Sequence, residues 1–236
     1  LNNSELNLYN QIFEFKDVNL IDPLYNTNAN IRGSISHSDF KDWELDLGFN
    51  SNKLFILNKE FNPEEYYHGV AFIDGEIDLN GLTKELVIQV DAKTQEGTKI
   101  NIPRSQNFNI ENFSFIEFID KKSIKDAEDF QINESIMGNK GLDLSIDLEI
   151  DNNADIEITI DTENGSYLSG QGLGNLLMEI DTEGKFNIYG DFSTTSGIYN
   201  FKNLGFIDKK FNVKSGGTIV WDGDPLQAQM DIEALY

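Results

Sequence analysis

Residues 141–161, GLDLSIDLEIDNNADIEITID, alternate between apolar and acidic side chains. Leucine or isoleucine fills the even positions on both sides of the DNNAD break, and aspartate or glutamate fills most of the odd ones. Side chains alternate between two faces in this way only when the backbone is an extended strand. The stretch therefore predicts two strands, each with one apolar face and one acidic face.

The same period of two recurs along most of the 236-residue chain, for example over 43–49, 71–79, 86–92 and 226–236. Turn-forming stretches such as ENGS, SGG and DGDP separate the runs. Since no long helical crossovers are predicted between the strands, we expect an all-β fold with a mainly antiparallel sheet. Alternation alone fits a sandwich of two packed sheets equally well.

Residues 120–141 lack this alternation and are dense in charge, which predicts a short helix or loop inserted between two runs of strands. The alternation resumes directly afterwards, at Leu142. We therefore expect residues 1–236 to form a single β unit, and we interpret the chain as the C-terminal part of a longer protein.

The formal net charge of −23 argues against a nucleic-acid partner, because a phosphate backbone requires a basic surface. It argues equally against adsorption to flat anionic membranes. The chain has no cysteine and only 2 histidines, His37 and His68, neither of which is part of a convincing catalytic or metal-binding set. We therefore expect neither an enzyme nor a cofactor or metal site.

Three glycines in GQGLG, Gly170, Gly172 and Gly174, continue the apolar face between Leu168 and Leu176. They do not match a dinucleotide-binding loop. Two interpretations remain open. The glycines allow a local bend or a close approach of backbone, or they leave a slot in the apolar face.

Two longer stretches contain an ordered series of landmarks. Residues 66–103 combine an aromatic-x-Gly-x-Ala opening, a G-x-I-x-L-x-G turn and a closing A-x-T-x-x-G-T-x-I-x-I-P. Residues 170–236 contain G-x-G-x-L-x-M-x-I, an S-G-x-Y-x-F strand, F-x-V-x-x-G-G-T-I-x-W-x-G-D-P and D-I-x-A-x-Y. Together they resemble the C-terminal domain of the TamB family, in a form similar to its Bacteroidota branch.

The resemblance implies a long, curled sheet with a U-shaped cross-section, the β-taco of AsmA-like bridge-type lipid transporters. It implies a periplasmic segment that gives phospholipid acyl chains an apolar groove between the inner and outer membranes. The implied partners are phospholipids and an Omp85-family outer-membrane barrel similar to TamA or TamL. An inner-membrane anchor is expected in an N-terminal part that this sequence does not include.

On this interpretation, the apolar positions of the strands line the groove. We predict the following lining residues: Leu142, Leu144, Ile146, Leu148, Ile150, Ile156, Ile158, Ile160, Leu176, Met178, Ile180, Phe186, Ile188 and Ile232. We also predict that Met230, Ile232 and Tyr236 contact the partner barrel by strand addition. The alternatives are an outer-membrane β-barrel, whose strands also alternate, and a plain β-sandwich interaction module.

Overall fold

The computed structural model describes residues 5–60, 68–102, 141–161, 163–182 and 185–236. Within these residues every strand belongs to one 15-stranded sheet, and the helical content is one short 3-10 turn, Pro225–Gln227. The predicted all-β fold with a curled, mainly antiparallel sheet is confirmed. The insertion predicted near 120–141 lies outside the described residues, apart from Gly141.

The strands have these bounds: β1 Glu5–Tyr9, β2 Ile12–Ile21, β3 Asn28–Ser38, β4 Lys41–Lys59, β5 His68–Leu82, β6 Glu85–Thr94, β7 Lys99–Ile102, β8 Leu142–Ile150, β9 Asp155–Asp161, β10 Ser166–Asp181, β11 Phe186–Asn203, β12 Ile207–Val213, β13 Thr218–Gly223, β14 Gln229–Asp231 and β15 Ala234–Leu235.

The long strands divide the sheet into two walls. In β10, residues 174–181 pair with β8 and residues 166–170 pair with β9. In β11, residues 188–193 pair with β13 and residues 198–203 pair with β12. We call the side containing β6, β8 and β13 wall A and the side containing β7, β9 and β12 wall B. The long strands β4, β5, β10 and β11 run through both.

The bend between the walls, here called the keel, is marked by loops and irregular pairing. Residues 95–98, 151–154 and 214–217 connect a wall-A strand to a wall-B strand at this level. The register of β10 shifts between Gln171 and Gly172, and that of β4 shifts between Ser51 and Leu54. Such bulges bend a strand and increase its twist. The opposite ends of the walls are called the rims.

One junction of the sheet is parallel. β6 pairs with β8, and β7 pairs with β9, in parallel, whereas the other neighbours are antiparallel. The chain therefore leaves wall B after Ile102 and enters wall A at Leu142. A parallel pair requires a crossover connection, and the residues that make it lie outside the described part of the chain.

The register keeps apolar residues on one face of the sheet. Leu144, Ile146 and Leu148 lie opposite Ile180, Met178 and Leu176 on the neighbouring strand. Wall A contains eleven strands; at a spacing of ~4.8 Å between strands, it extends about 48 Å along the sheet. The apolar inner face continues over this whole length.

Candidate functional site

Thirteen of the fourteen predicted lining residues lie on the inner face of the folded sheet, and the fourteenth, Ile160, lies unpaired at a register shift of β9. The fourteen differ in accessibility. Leu144, Ile150, Leu176 and Ile180 are buried beneath their neighbours. The other ten are half-buried: Leu142, Ile146, Leu148, Ile156, Ile158, Ile160, Met178, Phe186, Ile188 and Ile232. In this conformation, the half-buried residues are the ones that a molecule bound in the groove could contact.

The two walls meet in an apolar cluster near the keel. Its buried members are Ile150, Ala154, Leu176, Phe192 and Ile219. Ile156 and Ile158 of wall B pack against this cluster, as do Leu148 and Ile188 of wall A. Because residues of both walls contribute, the sheet is folded so that its apolar face encloses the cluster.

A second cluster lies on wall A alone, nearer the rim. Leu86, Ile88, Leu144 and Ile180 are its buried members. Partly buried apolar residues surround it, namely Leu45, Ile77, Leu79, Val90, Leu142, Ile146 and Phe186. Met178 links the two clusters. Its register partner on one side is Ile146, which packs in this cluster, and its partner on the other side is Ile188, which packs against the keel cluster.

Little free space remains between the walls at the keel. A cavity of about 20 Å³ is lined by Ile156, Ile158 and Leu168 from wall B and by Phe192 and Ile219 from wall A. That volume is comparable to the space one water molecule needs. An acyl chain can therefore enter this part of the groove only if the walls separate.

The ring of Phe192 explains two of the three glycines in GQGLG. A Cβ atom placed on Gly172 would meet the end of the Phe192 ring and the carbonyl of Ser193. One on Gly174 would meet the carbonyl of Asp191 first, and then the backbone and ring of Phe192. A Cβ on Gly170 would meet the carbonyl of Ser196. The slot interpretation is wrong at Gly172 and Gly174, since a neighbouring aromatic side chain fills that space; close approach is the correct one.

The outer face of the sheet is acidic and is bridged by exposed ion pairs. Asp143, Asp147 and Glu149 are exposed there. Lys93 on β6 contacts Glu149 on β8 at 2.8 Å, across the parallel junction. The hydrogen bond to Glu149 raises the pKa of Lys93 above its usual value. The contrast between an apolar inside and a charged outside keeps the apolar face turned inward.

The three predicted barrel contacts differ in how exposed they are, although Met230, as the register partner of buried Ile219, lies on the same inner face as Ile232. Ile232 packs against the keel cluster, so its side chain belongs to the groove. Met230 is 47% exposed and Tyr236 is 88% exposed. β14 pairs only with β13, and β15 only with β12, within the described residues. The other edge of these strands is therefore the one left for further pairing.

An aromatic group at the rim of wall A was missed by the sequence reasoning. Trp43, Phe13 and Phe40 surround His37, with ring centroids 4.6, 5.9 and 4.4 Å from it. The Nδ1 atom of His37 accepts a hydrogen bond from the backbone N–H of Phe40 at 3.1 Å. The signal was present in sequence, since His37, Trp43 and Phe13 each lie in a strand with alternating side chains.

Other surfaces of the described residues offer little chemistry. No group of three or more His, Asp or Glu side chains among them could hold a metal ion. A depression of about 330 Å³ lies outside the groove, at the turn between β2 and β3; it is lined by Tyr25, Asn26, Thr27, Asn28, Asn52, Lys53 and Phe72. No helix in the described ranges is long and apolar enough to cross a membrane.

These features define a class: a β protein whose single sheet folds around an apolar interior and presents an acidic exterior. The chain belongs to the TamB family, because the family model for the TamB C-terminal domain matches residues 19–236. No curated protein and no solved structure gives a significant match. The family acts in lipid and outer-membrane biogenesis in the bacterial envelope, and Omp85 proteins are its general kind of partner.

Proposed function

We propose that the inner face of the folded sheet carries the acyl chains of phospholipids along the groove. The observation that supports this most directly is the continuity of that face: apolar residues stay in register from strand to strand, whereas acids occupy the outer face. A groove of this kind can hold a hydrocarbon chain without exposing the chain to water.

The energy of transfer explains why such a face is needed. Each methylene removed from water gains about 0.8 kcal/mol, so a sixteen-carbon chain is held back from water by roughly 12 kcal/mol. Aliphatic side chains such as Ile146, Leu148 and Ile158 replace the water without directional bonds. A hydrocarbon chain can therefore slide along them instead of being held at one place.

Transport on this proposal needs a change in the spacing of the walls. The keel cavity of about 20 Å³ is too small for an acyl chain. The half-buried residues nearer the rims would meet the lipid first, and residues such as Leu144 and Ile180 would contact it only after the walls part. The groove acts by binding alone, without catalysis or a cofactor.

The wider context follows from the family. We propose that the chain is a periplasmic segment of a bridge between the inner and outer membranes, anchored through a part of the protein outside this sequence. Its last strands would join an Omp85-family barrel by adding a strand at the free edge of β14 and β15. Tyr236 is 88% exposed and suited to that contact. Met230 and Ile232 both lie on the inner face, Met230 as the register partner of Ile219 at the open edge of β14, where it is 47% exposed.

Native mass spectrometry of the purified protein tests the lipid proposal. We expect phospholipid to remain bound to the unmodified chain and to be lost from Ile158→Arg, which puts a charge on the inner face of wall B. Thr159→Arg, a change one residue away on the opposite face of β9, adds the same single positive charge and is the matched control, which should keep the lipid. A lipid-free unmodified chain, or equal loss from both variants, would contradict the proposal.

Photo-crosslinking in the full protein tests the barrel contact separately. A crosslinker at Tyr236 is expected to capture the barrel, and one at Ile232 is expected to capture lipid instead. Met230, at the edge of the inner face, is expected to capture both. Capture of the barrel at Ile232 and not at Tyr236 would contradict this assignment of the contacts.

A further inference from the structure

The hairpin formed by β11 and β12 ends in two large apolar side chains that project from the rim of wall B. Leu204 is 69% exposed and Phe206 is 78% exposed, and only Gly205 separates them. Exposure of two such side chains side by side costs solvation free energy. An apolar surface of this kind is expected to have a binding partner.

The same hairpin is basic in an otherwise acidic chain. Residues 198–213 include Lys202, Lys209 and Lys210 but only one acid, Asp208, whereas the whole chain has a net charge of −23. None of these lysines forms an ion pair with a carboxylate of the described residues. Their charge is therefore available to an anionic partner.

Aromatic rings lie beside these lysines. The ring centroids of Tyr199 and Phe211 are 6.1 Å apart, and those of Phe211 and Tyr236 are 5.6 Å apart. The Nζ atom of Lys209 lies 5.3 Å from the centroid of the Tyr236 ring. Tyrosine and lysine next to exposed apolar residues is the composition found where proteins meet the lipid–water interface.

The tip is held in place by the neighbouring turn. Buried Ser166 accepts a hydrogen bond from the backbone N–H of Lys202 and donates one to its carbonyl, both at 2.9 Å. The Oδ1 atom of Asn164 accepts a hydrogen bond from the backbone N–H of Leu204 at 3.2 Å. Since the backbone is fixed in this way, the two apolar side chains are presented outward by the fold.

We propose that this hairpin is a membrane-contact element. Leu204 and Phe206 insert at the boundary between headgroups and acyl chains of a phospholipid bilayer, and Lys202, Lys209 and Lys210 contact the lipid phosphates. The contact does not depend on whether the groove carries lipid. It would place the rim of wall B against the bilayer surface.

The net charge of −23 opposes broad adsorption to an anionic membrane, but it does not prevent a contact at one hairpin, because electrostatic interactions in salt are local. At physiological ionic strength the screening length is about 8 Å. The three lysines supply the attraction at the hairpin, reduced by Asp208 and by Asp161 and Glu163 of the adjoining turn. The acids on the outer face repel the bilayer elsewhere. The two effects together favour one orientation, with the hairpin toward the membrane.

Vesicle flotation tests the proposal on the purified chain. Vesicles of phosphatidylethanolamine and phosphatidylglycerol should carry the protein, and neutral phosphatidylcholine vesicles should carry less. The double change Leu204→Ser with Phe206→Ser is expected to weaken binding by about tenfold or more, since two apolar side chains no longer leave water. The triple change of Lys202, Lys209 and Lys210 to Gln should remove the preference for anionic vesicles.

The matched control is Phe40→Ser, at the tip of the hairpin between β3 and β4. Phe40 is 72% exposed and is followed by Lys41, but it lies between Asp39 and Asp42. This variant should bind vesicles as the unmodified chain does. The unfolding midpoint and the lipid retained in native mass spectrometry should be unchanged in the tip variant, which separates this contact from the groove.

Three results would overturn the proposal. One is failure of the unmodified chain to float with anionic vesicles. Another is unchanged binding by the tip variant, or equal loss by Phe40→Ser. The third is loss of binding to the partner barrel by the tip variant while its vesicle binding stays normal. That result would make the hairpin a protein-docking element.

Discussion

The ring of Phe192 on β11 occupies the space in which a side chain at Gly172 on β10 would lie. Both positions are at the keel, where β10 and β11 shift register between Gln171 and Gly172. An aromatic side chain of one strand thus covers glycines of the next at the point where both strands bend. This arrangement makes the sharp fold of the sheet possible and fills the groove at its base.

Replacing Gly172 by alanine is therefore expected to destabilise the protein. The added methyl would overlap the Phe192 ring, and overpacking of this kind costs about 1–3 kcal/mol. Urea unfolding would measure the change. In the double variant with Phe192→Leu the two changes should be less than additive, because the smaller side chain removes the overlap with the ring, although the methyl would still meet the carbonyl of Ser193. Full additivity would show that the ring and the glycine are not coupled.

Much of this face was predictable from local sequence, and the bend was not. Leu144, Ile146 and Leu148 lie on the inner face because alternation is a property of each strand alone. The place where the walls turn depends on Phe192 meeting Gly172, two residues of different strands. The pattern within one strand does not reveal a contact between two strands. The sequence alone therefore could not decide whether the glycines allow close approach or leave a slot.

The parallel junction was also beyond local pattern. Val90 and Ile146 are register partners on β6 and β8, which run in the same direction. Each strand has the same alternation whether its neighbour is parallel or antiparallel. Their direction is fixed by how the chain connects Ile102 to Leu142, a feature that side-chain period does not encode.

A charge on the wall-A lining is expected to disturb lipid binding more than folding. Ile146 is half-buried, so an arginine there can direct its guanidinium toward the groove opening. Ile146→Arg should lose retained phospholipid while the far-UV circular dichroism spectrum stays that of the unmodified chain. Asp147→Arg, on the outer face of the same strand, should retain it. Unfolding of Ile146→Arg, with Asp147→Arg stable, would instead assign Ile146 to the packed core.

Joining the two walls should prevent lipid uptake. The chain has no cysteine, so Ile158→Cys with Phe192→Cys would supply its only thiols. Both positions line the keel cavity from opposite walls. A short bismaleimide crosslink between them should abolish uptake of a fluorescent phospholipid, because the walls could no longer separate. The same reagent on either single-cysteine variant is the control, and normal uptake by the crosslinked protein would show that the keel need not open.

The turn that supports the β11–β12 hairpin should respond to acid. The side-chain amide of Asn164 hydrogen-bonds the Asp161 carboxylate at 2.7 Å, and this bond, with those from the backbone N–H groups of Asn164 and Glu163, lowers the pKa of Asp161. A lowered folded-state pKa adds stability above the unfolded pKa, about 3.9 for aspartate, and that stability is lost as the pH falls toward the folded value.

An NMR titration of the Asp161 carboxyl group measures this directly. We expect a midpoint below that of aspartate in a model peptide, and a midpoint that rises toward it in Asn164→Ala. A midpoint at the model-peptide value in the unmodified chain would mean that the turn does not hold Asp161 in this way.

Photo-crosslinking to phospholipid at two adjacent positions, Leu148 and Asp147, tests the central claim most directly. These residues are neighbours in β8 and project to opposite faces of the sheet. Their crosslinkers therefore probe the two faces at nearly the same place. In cells that make radiolabelled phospholipid, we predict labelled adducts from Leu148 and none from Asp147. Equal labelling at both positions, or labelling at Asp147 alone, would contradict an apolar inner face that carries lipid.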